Sequence, residues 1–168
     1  MKQKGFTLIE LLIVIAIIGI LASVVLGALN TARTKATDAA IKSSLTNMRG
    51  QASLWYDDHT YVYAATGDEY AVNTCPAVIE TNVNIFSDPK IFEGVSAAYD
   101  KAGGVAFSRC VASADTWAIA VQLKTSDGFA GGEPDAWCVD STGASRSYSY
   151  VGAEVIATGP INASDACK

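Results

Sequence analysis

Proline is missing from the first seventy-five residues of this 168-residue chain, and its four prolines stand at 76, 89, 134 and 160. Nothing of that kind forces a helix to stop in the N-terminal third. Charge is almost as scarce there, since Glu10 is the only ionisable side chain between Lys4 and Arg33. Cysteine does not occur before Cys75, and the one histidine is His59. The chain has no Gly-x-Ser-x-Gly, His-Glu-x-x-His or Walker loop, which removes the usual signatures of a hydrolase elbow, a zinc protease and a nucleotide site. It has no Cys-x-x-Cys either, so a zinc ribbon or a thioredoxin-type centre is unsupported. His59 falls just after an expected helix end, where interaction with the helix terminus explains it. No catalytic constellation remains.

The chain does have one long apolar run, from Phe6 to Leu29, behind the basic leader Met1-Lys2-Gln3-Lys4-Gly5. As a helix these twenty-four residues reach ~36 Å, enough to cross a hydrocarbon core of ~30 Å. A secretory signal would have a shorter apolar part and a small-residue cleavage site after it. Here the only processing point, Lys4-Gly5-Phe6, precedes the run, so cutting removes the charges and keeps the hydrophobic segment. Lys2 and Lys4 mark the end that stays cytoplasmic, which sends the rest of the chain outward.

Glu10 is the anomaly of the run. A carboxylate at membrane depth costs about 2.5–3.5 kcal/mol on insertion scales and calls for a partner. Cleavage after Gly5 would create one, the α-amine of Phe6. In an assembly the amine of one subunit would meet Glu10 of a neighbour and fix an axial register that Leu and Ile contacts alone leave free to slide. Ala16, Gly19, Ala22, Ser23, Gly27 and Ala28 permit close helix approach without forming a GxxxG motif.

The stretch Lys4-Gly5-Phe6-Thr7-Leu8-Ile9-Glu10, with the apolar residues after it, resembles the class III leader and N-terminal segment of the type IV pilin family. The resemblance implies cleavage between Gly5 and Phe6 by a prepilin peptidase and N-methylation of Phe6. It also implies an assembly role for Glu10, and an assembly ATPase and platform protein as partners. Gly19 matches a glycine common in the family's helix, and Gly27 stands where many members carry proline further along.

Past Leu29 the helical period continues. Ile41, Leu45, Met48, Ala52 and Trp55 recur at spacings of four and three and form one stripe. One helix from about Phe6 to about Tyr56 would be ~75 Å long, with a break at Gly50 as an alternative. The stripe has to be covered, and the following residues supply the cover. Asp57 to Tyr63 reads as a turn followed by aromatics that close over the stripe. Asp88 to Tyr99 reads as a short helix with Pro89 in its first turn, and Gly103-Gly104 as a break. Thr116 to Leu123 reads as a buried strand, and residues 126–134 as a glycine-rich loop. Ala136 to Asp140 is the returning strand, Asp140 to Gly143 a turn, and Ser147 to Val151 a third strand. The expected fold is therefore α+β and pilin-like, a long N-terminal helix against an antiparallel sheet. The expected parts are a leader (1–5), a membrane and assembly half-helix (6–29), an amphipathic half-helix (30–56) and a head (57–168).

Cys75, Cys110, Cys138 and Cys167 all lie in the head. An even number beyond a membrane-targeting segment points to an oxidising compartment and two bridges. Of the three pairings, Cys75–Cys110 with Cys138–Cys167 is favoured, because the second fastens a loose tail to a strand. Asp127, Glu133, Asp135 and Asp140 offer hard oxygens to calcium, but their spacing is not that of an EF-hand and a solvated loop is the simpler reading. Type II secretion pseudopilins, which resemble pilins at the N-terminus and often hold calcium in a C-terminal loop, keep the cluster of interest. Asn162-Ala163-Ser164 is a glycosylation triplet expected to stay unmodified.

The chain carries a formal charge of −5, from twelve basic and seventeen acidic residues. From Asp57 onward six basic and fifteen acidic residues give −9, which offers no basic cluster for nucleic acid. The sequence reads as a non-enzymatic, cofactor-free structural subunit that polymerises with itself. It would be held in the cytoplasmic membrane with its head outside, then packed into an extracellular filament. A pseudopilin and a monomeric membrane-anchored adhesin or enzyme are the alternatives. The use of such a fibre is open among adhesion, twitching, DNA uptake and secretion.

Overall fold

The computed structural model describes Gly5 and residues 7–72, 74–125, 135–148, 160–161 and 166–167. It divides into two compact units, Met1–Lys35 and Ala36–Lys168. A single α-helix, α1 (Leu8–Asp58, 51 residues), enters both. The helix runs through Gly50 unbroken, as the single-helix reading expects, and the alternative of a break there does not occur. A glycine inside a helix costs up to about 1 kcal/mol against alanine, whereas Met48 and Ala52 on either side of it are buried. Burying one side chain of the Met class is worth about 1.5–3 kcal/mol, so packing overrides propensity.

Within the second unit, Ile41, Leu45, Met48, Ala52 and Trp55 are the buried stripe of α1. The helix ends on a left-handed turn made without glycine. Thr60 (φ 57°) and Tyr61 (φ 63°) both have positive φ, and the Tyr61 N–H donates to the Tyr56 carbonyl at 2.9 Å. Of the aromatics that follow, Tyr63 packs against the core, while Tyr61 stays 65% exposed. The chain then makes a short bridge between Ala64 and Asn84. The amide of buried Asn84 caps a single 3-10 turn, accepting from Phe86 N–H at 3.0 Å and donating to the Asp68 carbonyl at 3.1 Å.

The second helix, α2 (Pro89–Ala102), starts where its punctuation says it should. Asp88 Oδ1 accepts from the Lys90 and Ile91 amides at 2.8 and 3.0 Å, and its Oδ2 accepts from Gln51 Nε2 at 3.0 Å, tying the start of α2 to α1. Such a cap is worth about 1 kcal/mol. At the other end Gly103 takes φ 123°, a conformation open to glycine, and its N–H reaches the Tyr99 carbonyl at 3.0 Å. The two helices approach closely at Gly94, where an added Cβ would lie 2.8 Å from Met48 Cγ and Sδ.

Five antiparallel strands in chain order make one meander: β1 (Tyr70–Val72), β2 (Ser108–Ala112), β3 (Trp117–Gln122), β4 (Ala136–Asp140) and β5 (Ser145–Tyr148). The expected strand at 147–151 starts earlier, at Ser145, paired with Val139; residues 149–151 lie outside the described set. Strand β3 is central, and it alternates cleanly. Trp117, Ile119 and Val121 join the core built with the two helices, while Ala118 and Ala120 join Ala136, Cys138, Ile161 and Cys167 on the opposite face. Small alanines on that second face leave room for Ile161 and Cys167, which pack on it and form a bridge with each other. The bridges are Cys75–Cys110 and Cys138–Cys167.

Candidate functional site

The N-terminal unit presents an unpartnered apolar surface. From Leu8 to Leu29 every large aliphatic side chain of α1 is at least half exposed. The helix is long and apolar enough to cross a membrane, with a mean hydropathy of 3.0 over its best window. Its few polar groups are satisfied locally: the Ser23 hydroxyl donates to the Ile20 carbonyl at 2.7 Å, and Thr31 donates to the Gly27 carbonyl at 3.4 Å. A Cβ at Gly19 or Gly27 would meet nothing, so both glycines leave room for a neighbour.

Glu10 stands at the head of this surface, in an arrangement that explains Thr7 as well. Its Oε2 accepts from the Thr7 amide at 2.8 Å and the Thr7 hydroxyl at 2.7 Å, and the Thr7 hydroxyl in turn accepts from the Glu10 amide at 3.3 Å. This is a capping box, Thr-x-x-Glu, which satisfies two otherwise unpaired N–H groups at the helix start. The signal was legible as Thr7-Leu8-Ile9-Glu10, three residues apart. Glu10 is thus held by its own chain at one edge of an exposed apolar rod. Phe6, Lys2 and Lys4 lie outside the described residues. Gly5 is exposed, and among the described residues nothing lies within 4 Å of a Cβ added there.

Comparison with known proteins falls on this same segment. Residues 1–26 match the model of the prokaryotic N-terminal methylation motif. The chain is 48% identical over 65 residues to the type IV major pilin protein PilE of Neisseria gonorrhoeae, covering 34% of this chain and 39% of that one. Over the matched residues the chain is similar to type IV pilins. The pilin-like stretch is also 45% identical over 74 residues to a fimbrial protein of Neisseria meningitidis serogroup B, covering 40% and 44% of the two chains. With the type IV wide pilus major component PilA4 of Thermus thermophilus it is 48% identical over 61 residues, covering 36% and 47%. The chain thus spans less than half the length of these pilin relatives. No solved structure matches it.

In the head, only part of the acidic cluster is described. Asp127 and Glu133 lie outside the described residues, and among the described residues no three His, Cys, Asp or Glu side chains converge. Asp140 is already committed. Its Oδ1 accepts from the Thr142 hydroxyl at 2.7 Å and the Thr142 and Ala144 amides at 3.0 Å, and its Oδ2 accepts from the Cys167 amide at 2.9 Å. Burial pushes its pKa up, but these donors outweigh burial, led by the Thr142 hydroxyl, and hold the carboxyl below its ordinary value. The carboxylate organises the β4–β5 turn and holds the Cys167 amide to it. Asp135 is buried as well.

His59 does what its position suggests. Its ring stacks on Trp55 with centroids 3.4 Å apart, and Nδ1 donates to the Trp55 carbonyl at 3.0 Å, closing the end of α1. The triplet Asn162-Ala163-Ser164 lies outside the described residues. One buried acid was missed from the sequence. Asp38 is 5% exposed and sits three residues before Ile41 on the apolar stripe. It accepts from the Lys124 amide at 2.6 Å, the Thr125 amide at 3.2 Å and the Thr125 hydroxyl. An acid on an apolar stripe requires such donors, and that requirement was the readable clue.

Proposed function

We propose that this chain is the structural subunit of a type IV pilus. In this reading a prepilin peptidase cuts between Gly5 and Phe6, Phe6 is N-methylated, and the subunit waits in the cytoplasmic membrane with residues 57–168 outside. An assembly ATPase and a platform protein then pack residues 6–29 of many copies into a helical homopolymer. Residues 30–56 carry the head at the filament surface, and the head works without a cofactor. The observation that carries this reading is the exposed aliphatic surface from Leu8 to Leu29 with Glu10 as its single charge. Such a surface is stable only in lipid or against like surfaces. Among the described residues nothing lies within 4 Å of a Cβ added at Gly5, which supports recognition by a peptidase as the reason for the glycine.

Chemically, the neighbour's α-amine would take over the carboxylate that Thr7 holds in the isolated subunit. Two variants separate the roles. Glu10→Gln keeps an acceptor for the capping box but loses the charge, and Glu10→Ala loses both. Both are expected to be processed and both to fail in assembly, read as mature N-termini by mass spectrometry and few filaments in electron micrographs of sheared surface material. Abundant filaments from Glu10→Gln would mean that the cap alone matters and that charge pairing does not set the register. Filaments from neither the parent chain nor its variants, with the chain still expressed, would favour a pseudopilin or a lone anchor.

A further inference from the structure

Four aromatic rings make one chain of contacts from the core of the head to its surface. Trp117 of β3 is 2% exposed, and its ring lies 6.4 Å from that of Tyr63, edge to face. The Tyr63 ring lies 4.7 Å from that of Tyr56, near the end of α1, and Tyr56 lies 5.6 Å from Tyr61, again edge to face. All three separations fall inside the roughly 4.5–7 Å at which aromatic rings touch. Tyr61, the last of the four, is 65% exposed. The other close rings, Trp55 with His59 and Tyr70 with Phe86, are separate pairs.

Two further observations set this chain of rings apart from ordinary packing. Thr60 and Tyr61 both take positive φ, and for a β-branched residue such as Thr60 that conformation is a genuine outlier. Backbone strain of this kind persists where the surrounding structure imposes it, and it gathers at functional sites. Here it keeps the Tyr61 ring against Tyr56 and in water at once. At the inner end, the Trp117 indole N–H stands against the Tyr63 hydroxyl. Burial raises the Tyr63 pKa, that N–H lowers it in part, and nearby Tyr56 and Asp57 add to the rise. A phenol in contact with an indole, and within electrostatic reach of an exposed carboxylate, has what the joint loss of an electron and a proton requires.

We propose that Trp117, Tyr63, Tyr56 and Tyr61 form a radical relay that carries a one-electron oxidation out of the core of the head to its surface. A one-electron oxidant of the oxygen-radical class takes an electron from Trp117 and leaves the indole radical cation. Tyr63 returns that electron, its O–H bond breaks, the proton passes to Asp57 or to water, and a phenoxyl radical remains. The phenoxyl then takes an electron from Tyr56 and a proton from solvent while Tyr56 loses its own O–H proton, and the same exchange moves the radical on to Tyr61. A soluble hydrogen-atom donor such as ascorbate restores the Tyr61 hydroxyl. At neutral pH an oxidised indole oxidises a phenol, so the first transfer runs downhill, the next two join like groups, and the reductant drains the end. The Cys75–Cys110 bridge shares the core with Trp117, and the relay leads the oxidation away from it. One head suffices, so this inference stands apart from the polymer reading.

The test uses the full chain in detergent micelles. A laser flash excites tryptophan in the presence of chloropentaamminecobalt(III), an irreversible one-electron acceptor, and the absorption of the indolyl and phenoxyl radicals is followed in time. Part of the indolyl signal is expected to convert to phenoxyl at a rate independent of protein concentration. Tyr63→Phe is expected to abolish that phase while the signals of Trp55 and Trp137 persist. Tyr61→Phe, a change at an exposed position, is expected to keep the conversion but lose the rapid quenching by ascorbate. A nitroso spin trap, its adducts mapped by mass spectrometry, is expected to mark Tyr61 in the parent chain and Tyr56 in Tyr61→Phe. No conversion in the parent chain, the same conversion in Tyr63→Phe, or adducts on Trp117 and Tyr63 with Tyr61 unmarked overturns the proposal.

Discussion

Asp140 shows how much one buried carboxylate can organise. It accepts from two amides and a hydroxyl of its own turn and from the amide of Cys167, twenty-seven residues further on. Its folded pKa is lowered, so the sign is that of an acid stabilising the native state when ionised. The contribution is present above the ordinary value of 3.8 and is lost as pH falls through the lower folded value. Asp140→Asn removes that charge and turns an N–H donor toward donors. The difference in Tm between the parent chain and Asp140→Asn is expected to be largest near neutral pH and to shrink in acid below the folded pKa, as followed by thermal melts across pH. A constant difference would show that the effect is one of shape alone. From sequence this residue was read as the start of the Asp140–Gly143 turn and as one of an acidic cluster, but nothing in the string shows that Cys167 returns to that turn. Glu10 was far more legible, since a lone charge in an apolar run has few explanations.

Among the elements, α1 was read almost to its ends, and the reason is physical. A stripe at spacings of three and four over Ile41 to Trp55, with no proline to interrupt it, leaves one solution, and all five residues are buried. Strand β4 was equally clear, and α2 was marked by Asp88-Pro89. The strands β1 and β2 were not foreseen. Three residues at Tyr70–Val72 carry no period, and Ser108–Ala112 is short and separated from the glycine break only by a 3-10 turn at Val105–Phe107, so pairing with β1 and β3 is what defines it. Asp38 joins one well-read element to another. Through it α1 holds the Lys124 and Thr125 amides at the end of β3. Asp38→Ala would strand those donors and is expected to cost about 1–3 kcal/mol, measured by chemical denaturation of the full chain in micelles. Asp38→Asn, keeping one acceptor, is expected to cost less. Equal stability of the alanine variant would show that water replaces the carboxylate freely.

For the molecule as a whole, the head's margin is set on the alkaline side by its tyrosines. Burial raises the pKa of Tyr63, Tyr70 and Tyr99, and nearby Glu80 adds to it at Tyr70, which reaches about 12. Tyr70 donates to the Thr74 carbonyl at 3.1 Å, and buried Tyr99 donates to the Pro76 carbonyl at 3.2 Å. The unfolded chain ionises near the ordinary value of 10, before the folded one does. Stability is therefore whole below that pH and falls as pH rises through it toward about 12. Alkaline melts are expected to show this loss, with Tyr70→Phe flattening its upper part. Unchanged slope in that variant would assign the loss to other groups. The broad plan of this molecule, one helix and a sheet that covers part of it, followed from the sequence, because an exposed apolar rod joined to an amphipathic one leaves few ways to bury the second half.

The two bridges lie on opposite sides of the sheet. Cys75 and Cys110 belong to the core shared with the helices, and Cys138 and Cys167 to the cluster on the far face. The strands between them form a wall that sulfur cannot cross while the head stays folded. Thiolate exchange between the pairs is thereby blocked, and graded reductant should open them as two separate events without scrambled isomers, a pattern that alkylation and mass mapping can count.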